Sequence, residues 1–133
     1  MKLDHVNLTV SDVLKASAFI KRYFGYVNAF EDNNAGMSVL TDGRGMHINL
    51  MRGRDVIYPP LFHIGFDMGT EASVNAMYER LRDDGMDIKP PRHAWGSWTF
   101  HFTCPGTTFI IEVACTSEQT ASIHGDAEVQ QPA

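Results

Sequence analysis

Residues 3–10, LDHVNLTV, alternate strictly: Val6, Leu8 and Val10 form an apolar row, and His5, Asn7 and Thr9 the opposite one. That is the pattern of a strand with one buried face. The period then changes. Val13, Ala16, Phe19, Ile20 and Phe24 recur at helical spacing, with Ser11 or Asp12 placed to cap the helix and Gly25 to stop it. Residues 61–68, LFHIGFDM, repeat the first alternation, with Phe62, Ile64, Phe66 and Met68 opposite His63, Gly65 and Asp67. Thr70 caps a second predicted helix through Val74, Met77, Tyr78 and Leu81, ending at Gly85. Three strand-like segments follow each helix, at 26–31, 37–41 and 46–51 and again at 86–89, 97–103 and 108–114, with DGRG and CPGT among the intervening turns.

A repeat of this kind sets the whole fold. The chain reads as α+β, a single domain over 1–116 made of two βαβββ modules at about 1–52 and 61–115. The link RGRDVIYPP ends in a proline pair that stops a strand or helix from running through. Each module is expected to be a twisted sheet whose apolar face packs on its helix, so that the other faces form a cup. Residues 117–133 hold three acids and no Lys or Arg, which leaves the body at a net charge of −2 from a total of −5. With Ile123 and Val129 as its only sizeable apolar groups, that tail is expected to be flexible unless it docks on a second subunit.

Phase assigns side chains to the cup. His5 and His63 share a phase in the first strands of the two modules. In the last strand of the first module Met46, Ile48 and Leu50 face the helix, which turns His47, Asn49 and Met51 to the cup. In the second module Phe109, Ile111 and Val113 face the helix and Ile110, Glu112 and Ala114 the cup, while Thr99, His101 and Thr103 form the polar row of WTFHFT. Two imidazoles and a carboxylate, His5, His63 and Glu112, suit a divalent metal and leave positions open for substrate. A lone strand histidine is more often a hydrogen-bonded structural group; here the recurrence of His5 and His63 at matching points of a repeat favours ligands.

These residues resemble the vicinal oxygen chelate superfamily, which groups glyoxalase I, bleomycin-resistance proteins, fosfomycin-modifying enzymes and extradiol dioxygenases. The resemblance spans residues 2–115 and is carried by LDHVNLTVSD, KRYFGY, FHIGFDM and CPGTTFIIEVA. It implies paired modules forming a cupped, open mixed β-barrel backed by helices, holding a divalent metal. Carried over by position, the ligand slots are His5, Asn49, His63 and Glu112. Asn49 departs from the glutamate or histidine of glyoxalase I enzymes, which disfavours that activity. The remaining two-histidine, one-carboxylate set is similar to that of the extradiol dioxygenases and the thiol-transferring fosfomycin enzymes and implies Fe(II) or Mn(II), with Ni(II) or Zn(II) compatible. His47 stands ready as a replacement ligand or a supporting donor. The turn before Glu112 is one residue longer than the usual pattern, which either a bulge absorbs or a shifted register answers, the latter turning Glu112 to the wrong face.

The resemblance therefore implies a metal-dependent glyoxalase-like enzyme of lyase, isomerase or dioxygenase type, the metal acting as Lewis acid on a small oxygen-bearing substrate. His101 is the candidate acid–base group, since imidazole suits proton transfer near neutrality; a structural or surface role fits it equally. His93 reads as an exposed or lid residue, and His124 lies in the tail. Trp95 and Trp98 suit substrate stacking, core packing or a subunit contact, and Arg52 and Arg54 an anion or, more commonly, a solvated linker. The alternative is a metal-free, drug-sequestering protein like the bleomycin-resistance branch. Fosfomycin chemistry is disfavoured by a tail without Lys, Arg or Tyr. The family also implies a homodimer.

Composition narrows the rest. Hydrophobic residues at 44% and charged residues at 20% are those of a globular chain. With 16 acids against 11 bases and no basic block, nucleic acid is not an expected partner. Apolar runs fall far short of the ~20 residues of a membrane helix, and the beginning of the chain has no signal-peptide pattern, so no membrane role and a cytoplasmic location are expected. Two cysteines outside any C-x-x-C pair make no disulfide framework.

Overall fold

A computed structural model describes residues 1–30 and 34–118. The order of elements is β1 (His5–Val10), α1 (Val13–Phe24), β2 (Val27–Asn28), β3 (Met37–Thr41), β4 (His47–Arg52), β5 (His63–Asp67), α2 (Glu71–Asp83), β6 (Arg92–Ala94), β7 (Ser97–Thr103) and β8 (Ile110–Thr116). The strands form two four-stranded sheets ordered β1-β4-β3-β2 and β5-β8-β7-β6. The second order copies the first element by element, so the chain is a duplicated βαβββ unit of α+β class.

Two compact units result, and their border does not follow the modules: Met1–Phe62 with Thr103–Ile110 form one, and His63–Phe102 with Ile111 onward the other. In the first unit β1 runs parallel to β4, while β4–β3 and β3–β2 are antiparallel. Helix α1 begins where the Asp12 carboxylate accepts from Lys15 N at 3.0 Å and ends at Gly25, whose φ of +70° is the left-handed C-cap. It packs on β3 and β4. Leu8, Val10, Val13, Ala16, Ile20, Leu40 and Leu50 are all buried to 1% exposure or less, each large one contributing about 1.5–3 kcal/mol. One polar pair shares this core, the Ser17 and Ser38 hydroxyls 3.0 Å apart.

Segment 103–110 joins this unit through backbone and rings. Asp12 N donates to Gly106 O at 2.9 Å. A Cβ at Gly106 would stand 2.7 Å from Asp12 O and 2.9 Å from Ala16 N, so only glycine permits the approach. Phe109, fully buried, meets Tyr58 edge-on at 5.6 Å and Phe62 at 6.5 Å, while Tyr58 donates its hydroxyl to Thr9 O at 2.7 Å. The linker VIYPP is thereby fastened rather than loose.

In the second unit Thr70 caps α2, accepting from Ser73 N at 3.1 Å, and Val74, Met77 and Leu81 are its buried stripe. Three predicted boundaries move. The strand expected at 86–89 forms instead at Arg92–Ala94, because Pro90 and Pro91 have no N–H to give a ladder and Ile88 is spent as a buried plug. The strand expected at 108–114 runs from Ile110 to Thr116, since the turn of Cys104–Phe109 is held by Cys104 N to Phe109 O and Thr107 N to Cys104 O. The strand expected at 26–31 shrinks to Val27–Asn28. Hairpin β6–β7 turns through Trp95 and Gly96, with φ of +53° and +76°, the backbone of a primed two-residue turn, and Trp95 projects fully exposed.

Residues 117 and 118, expected to belong to a flexible tail, are tied to the second unit. Ser117 N donates to Gly96 O at 3.0 Å and Glu118 N to Glu71 Oε2 at 2.7 Å. Residues 119–133, His124 among them, lie outside the described residues. Among those described, no helix is long and apolar enough to cross a membrane.

Candidate metal and acid–base site

Glu112 is the centre of the second unit's polar face. Strand β8 begins at Ile110, two residues later than the sequence predicts, and the alternation within it is unaffected. Ile111 and Val113 are therefore fully buried while Glu112 turns the other way. His63 heads β5 and brings Nε2 to 3.1 Å from Glu112 Oε2. His101, on β7, brings its Nε2 to 3.4 Å from the same oxygen. The two rings stand edge to face, their centroids 6.3 Å apart. On the other carboxylate oxygen, the hydroxyl of Thr99, a residue only 1% exposed, donates to Oε1 at 3.0 Å and also lies 3.1 Å from Val113 O.

A carboxylate with 22% of its side chain exposed is thus met by two imidazoles and a hydroxyl. With metal bonds of about 2.0–2.2 Å, neighbouring ligand atoms stand about 3.0 Å apart in an octahedron and about 3.4 Å in a tetrahedron. The His63–Glu112 separation fits adjacent ligands of one ion. The donor types fit as well: neutral nitrogens and one oxyanion suit a divalent cation. Among the described residues, no group of three or more His, Cys, Asp or Glu side chains is arranged to hold an ion as it stands. The second unit therefore brings His63, His101 and Glu112 together around one carboxylate oxygen.

Opposite Glu112 on β5 stands Gly65. A Cβ there would come no closer than 3.9 Å to Glu112, and the missing side chain opens a cavity of about 320 Å³ lined by Gly65, Asp67, Ser97 and Glu112.

The remaining sequence candidates lie in the first unit. His5 pairs in register with His47, and Asn7 with Asn49, across the parallel β1–β4 ladder, so all four share one face. Asp4 Oδ1 lies 2.6 Å from His5 Nδ1, an arrangement that orients the ring and leaves Nε2 for another partner. The Asp4 carboxyl is held below the ordinary carboxylate range chiefly by this hydrogen bond, with His47 and Lys2 helping. Asn49 Oδ1 is buried and, among the described residues, has no hydrogen-bond partner. An orphaned amide oxygen costs about 1–3 kcal/mol unless an ion or water meets it.

Two side chains, Thr99 and Arg92, escape a sequence reading that looks for ligand types. Thr99, a mere member of a polar row, anchors the carboxylate. Arg92, outside the strand expected at 86–89, lies on β6 opposite Thr99. His93 is exposed as expected, though its ring lies 4.6 Å from that of Trp98 and Nδ1 is 3.2 Å from Ser117 Oγ. Trp98 is itself pinned to α2 by Asn75 Oδ1 at 2.8 Å, which commits it to structure. Both cysteines are buried and free, and burial pushes the Cys104 thiol up to about 12.

The sequence model of the Glyoxalase/Bleomycin resistance protein/Dioxygenase superfamily matches residues 2–109. Among solved structures, a possible glyoxalase from Bacillus cereus is similar at 39% identity, covering 86% of this chain and 99% of its own, with a TM-score of 0.80. The fosfomycin resistance protein FosX from Listeria monocytogenes, as a variant complexed with Mn(II) and 1S,2S-dihydroxypropylphosphonic acid, shares the fold at 21% identity, 91% and 97% coverage and a TM-score of 0.71. Lactoylglutathione lyase from Agrobacterium tumefaciens does so at 17% identity, 85% and 92% coverage and a TM-score of 0.67. No curated protein matches the chain in sequence.

Proposed function

The chain belongs to the Glyoxalase/Bleomycin resistance protein/Dioxygenase superfamily, and on that premise we propose that it is a divalent-metal-dependent enzyme acting on a small oxygen-bearing substrate, by lyase, isomerase or dioxygenase chemistry. The observation that carries the reading is the meeting of His63 Nε2 and His101 Nε2 on one oxygen of Glu112. His63 and Glu112 are two ligands. His5, in the equivalent place at the head of the first module's first strand, is the third, with His47 and Asn49 beside it in support. When bound, the ion supplies Lewis-acid polarisation of substrate oxygens. The FosX relative, solved with Mn(II), supports this cofactor class, and the two-imidazole, one-carboxylate set favours Fe(II) or Mn(II) over Ni(II) or Zn(II).

The chain's own groups divide the remaining work. Thr99 fixes the Glu112 carboxylate so that its second oxygen stays turned to the histidines. His101 holds a proton at Nε2 and passes it to or from substrate. Open space above Gly65 admits the substrate. The working form is a cytoplasmic homodimer.

Titration of the purified protein with Fe(II), Mn(II), Ni(II) and Zn(II) tests the reading. Stoichiometric uptake of at least one, lost in His63→Ala and in His5→Ala, is expected; failure of all four overturns it. A second reading rests on a specific feature: His63, His101, Thr99 and Glu112 satisfy one another without an ion. It makes the protein a metal-free sequestering protein, and saturable binding of a drug of the bleomycin class by metal-free protein, unchanged in His63→Ala, would favour it.

A further inference from the structure

The cavity of about 320 Å³ over Gly65 extends away from the histidines, past Ala114 to Asp67, Ser97 and Thr116. Strand alternation puts Asp67 on the face of Gly65, Ala114 and Thr116 on that of Glu112, and Ser97 on that of Thr99. A glycine and an alanine thus form the floor, with a carboxylate and two hydroxyls around it. The fold does not require the glycine: Gly65 has no positive φ, and a Cβ there would meet nothing closer than 3.9 Å. Glycine inside a strand weakens it and often marks a close approach by a ligand. Asp67 Oδ1 accepts from Gly69 N at 2.9 Å, and among the described residues Asp67 Oδ2, Ser97 Oγ and Thr116 Oγ1 have no hydrogen-bond partner. Glu112 and Thr99, by contrast, are engaged with each other, and Glu112 with His63 and His101. No Lys or Arg lines the cavity. Acids dominate its surroundings, since the Cys115 thiol at its border is raised by burial and then by Glu71, Asp67 and Glu118.

We propose that this end of the cavity is a subsite for a protonated amine carried by the substrate, and that Asp67 is its specificity-determining residue. An ammonium group has three donors and no acceptor, and an ionised carboxylate accepts only. Asp67 Oδ2 and the hydroxyl oxygens of Ser97 and Thr116 supply three acceptors for those three hydrogens. An anion would meet a carboxylate and no cation here. A neutral hydroxyl would leave the charge of Asp67 unanswered, and hydrogen bonds between charged groups are about twice as strong as neutral ones. The bare floor of Gly65 and Ala114 lets the group come close to the sheet. The volume lies at the lower end of small-molecule sites, about 300–1,000 Å³, so the amine sits on a short chain whose oxygens reach toward Glu112 and His63. The substrate class is then a small oxygen-bearing amine. The inference rests on the enzyme reading, but the amine subsite itself requires no metal.

Ethanolamine and its neutral counterpart, ethylene glycol, are titrated separately into metal-free, full-length protein near neutral pH, with amide chemical shifts as the readout. Ethanolamine should give a saturable response centred on Gly65–Asp67, Ser97 and Ala114–Thr116, and ethylene glycol should bind about tenfold more weakly or worse. Binding of the amine should weaken as salt is raised. Asp67→Asn keeps the Oδ1 acceptor for Gly69 N, and should lower affinity for ethanolamine about tenfold while leaving the rest of the spectrum in place. Gly65→Val, which occupies the floor without touching a charge, should abolish the response. Shifts that do not saturate, that centre elsewhere, that follow the diol as strongly as the amine, or that survive Asp67→Asn overturn the proposal. Saturable amine binding by a protein that takes up no metal would overturn the enzyme reading and leave the subsite standing. Metal uptake without amine binding would do the reverse.

Discussion

Thr99→Val is the sharpest test of how the carboxylate is held. The change swaps a hydroxyl for a methyl in a site 1% exposed, at nearly constant volume and with a residue that suits a strand. It removes one donor, 3.0 Å from Glu112 Oε1 and 3.1 Å from Val113 O. A hydrogen bond to a charged group contributes about 1.5–3 kcal/mol. The Glu112 side chain is 22% exposed, so water takes over part of the lost bond, and the net cost falls to about 1–2 kcal/mol. In a chain of this size that lowers Tm by about 4–8 °C. Urea denaturation of wild type, Thr99→Val, Glu112→Ala and the double variant gives the coupling directly. A coupling of about 1 kcal/mol or more is expected, and additivity within about 0.5 kcal/mol would refute the hydroxyl–carboxylate bond as the reason for Thr99. Metal affinity gives an independent readout, expected to fall about 10–100-fold in Thr99→Val.

Three further outcomes follow from the packing. The Cys104 thiol sits at about 12 when folded against 9.0 in the open chain. Both states keep the proton below pH 9 and only the unfolded chain releases it above, so the stability of wild type relative to Cys104→Ala should drop by up to about 4 kcal/mol as pH rises from 9 to 12; a pH-independent difference would show that the thiol is not desolvated. Phe109→Ala should cost about 3–5 kcal/mol by urea denaturation, because it empties the site between Tyr58 and Phe62, and a loss under 1 kcal/mol would mean that the linker aromatics collapse into the gap. Gly65→Val should fold normally, since its Cβ meets nothing closer than 3.9 Å, yet it should fill the space over Glu112 and weaken substrate or metal binding at least tenfold; unchanged binding would remove that cavity from the site.

How much of this was legible in the sequence depended on which physical rule governed each element. Strand phase follows from alternation alone, so a misplaced start of the last strand left Glu112 on the face that alternation assigns it. Caps were equally local: Asp12 and Thr70 act within three residues of themselves. The fate of 86–94 was decided otherwise. Apolar Met86 and Ile88 suggested a strand there, but Pro90 and Pro91 postponed the ladder to Arg92. That misplacement hid the alignment of Arg92 with Thr99, because a two-residue turn through Trp95 and Gly96 sets the register. A tryptophan at φ +53° is not a residue from which such a turn is read.

The same contrast explains the polar cluster. Ligand chemistry can be guessed from residue type, whereas the hydroxyl that steadies a ligand is an ordinary threonine 13 positions from Glu112. Its role exists only after β7 and β8 lie side by side. Supporting donors are therefore the parts of a site that sequence reasoning loses first. They are also the parts that distinguish one reaction from another on a shared fold. In this chain Thr99 is such a donor, and substitutions there should weaken ion uptake at the site proposed for His63 and Glu112 while leaving the fold intact.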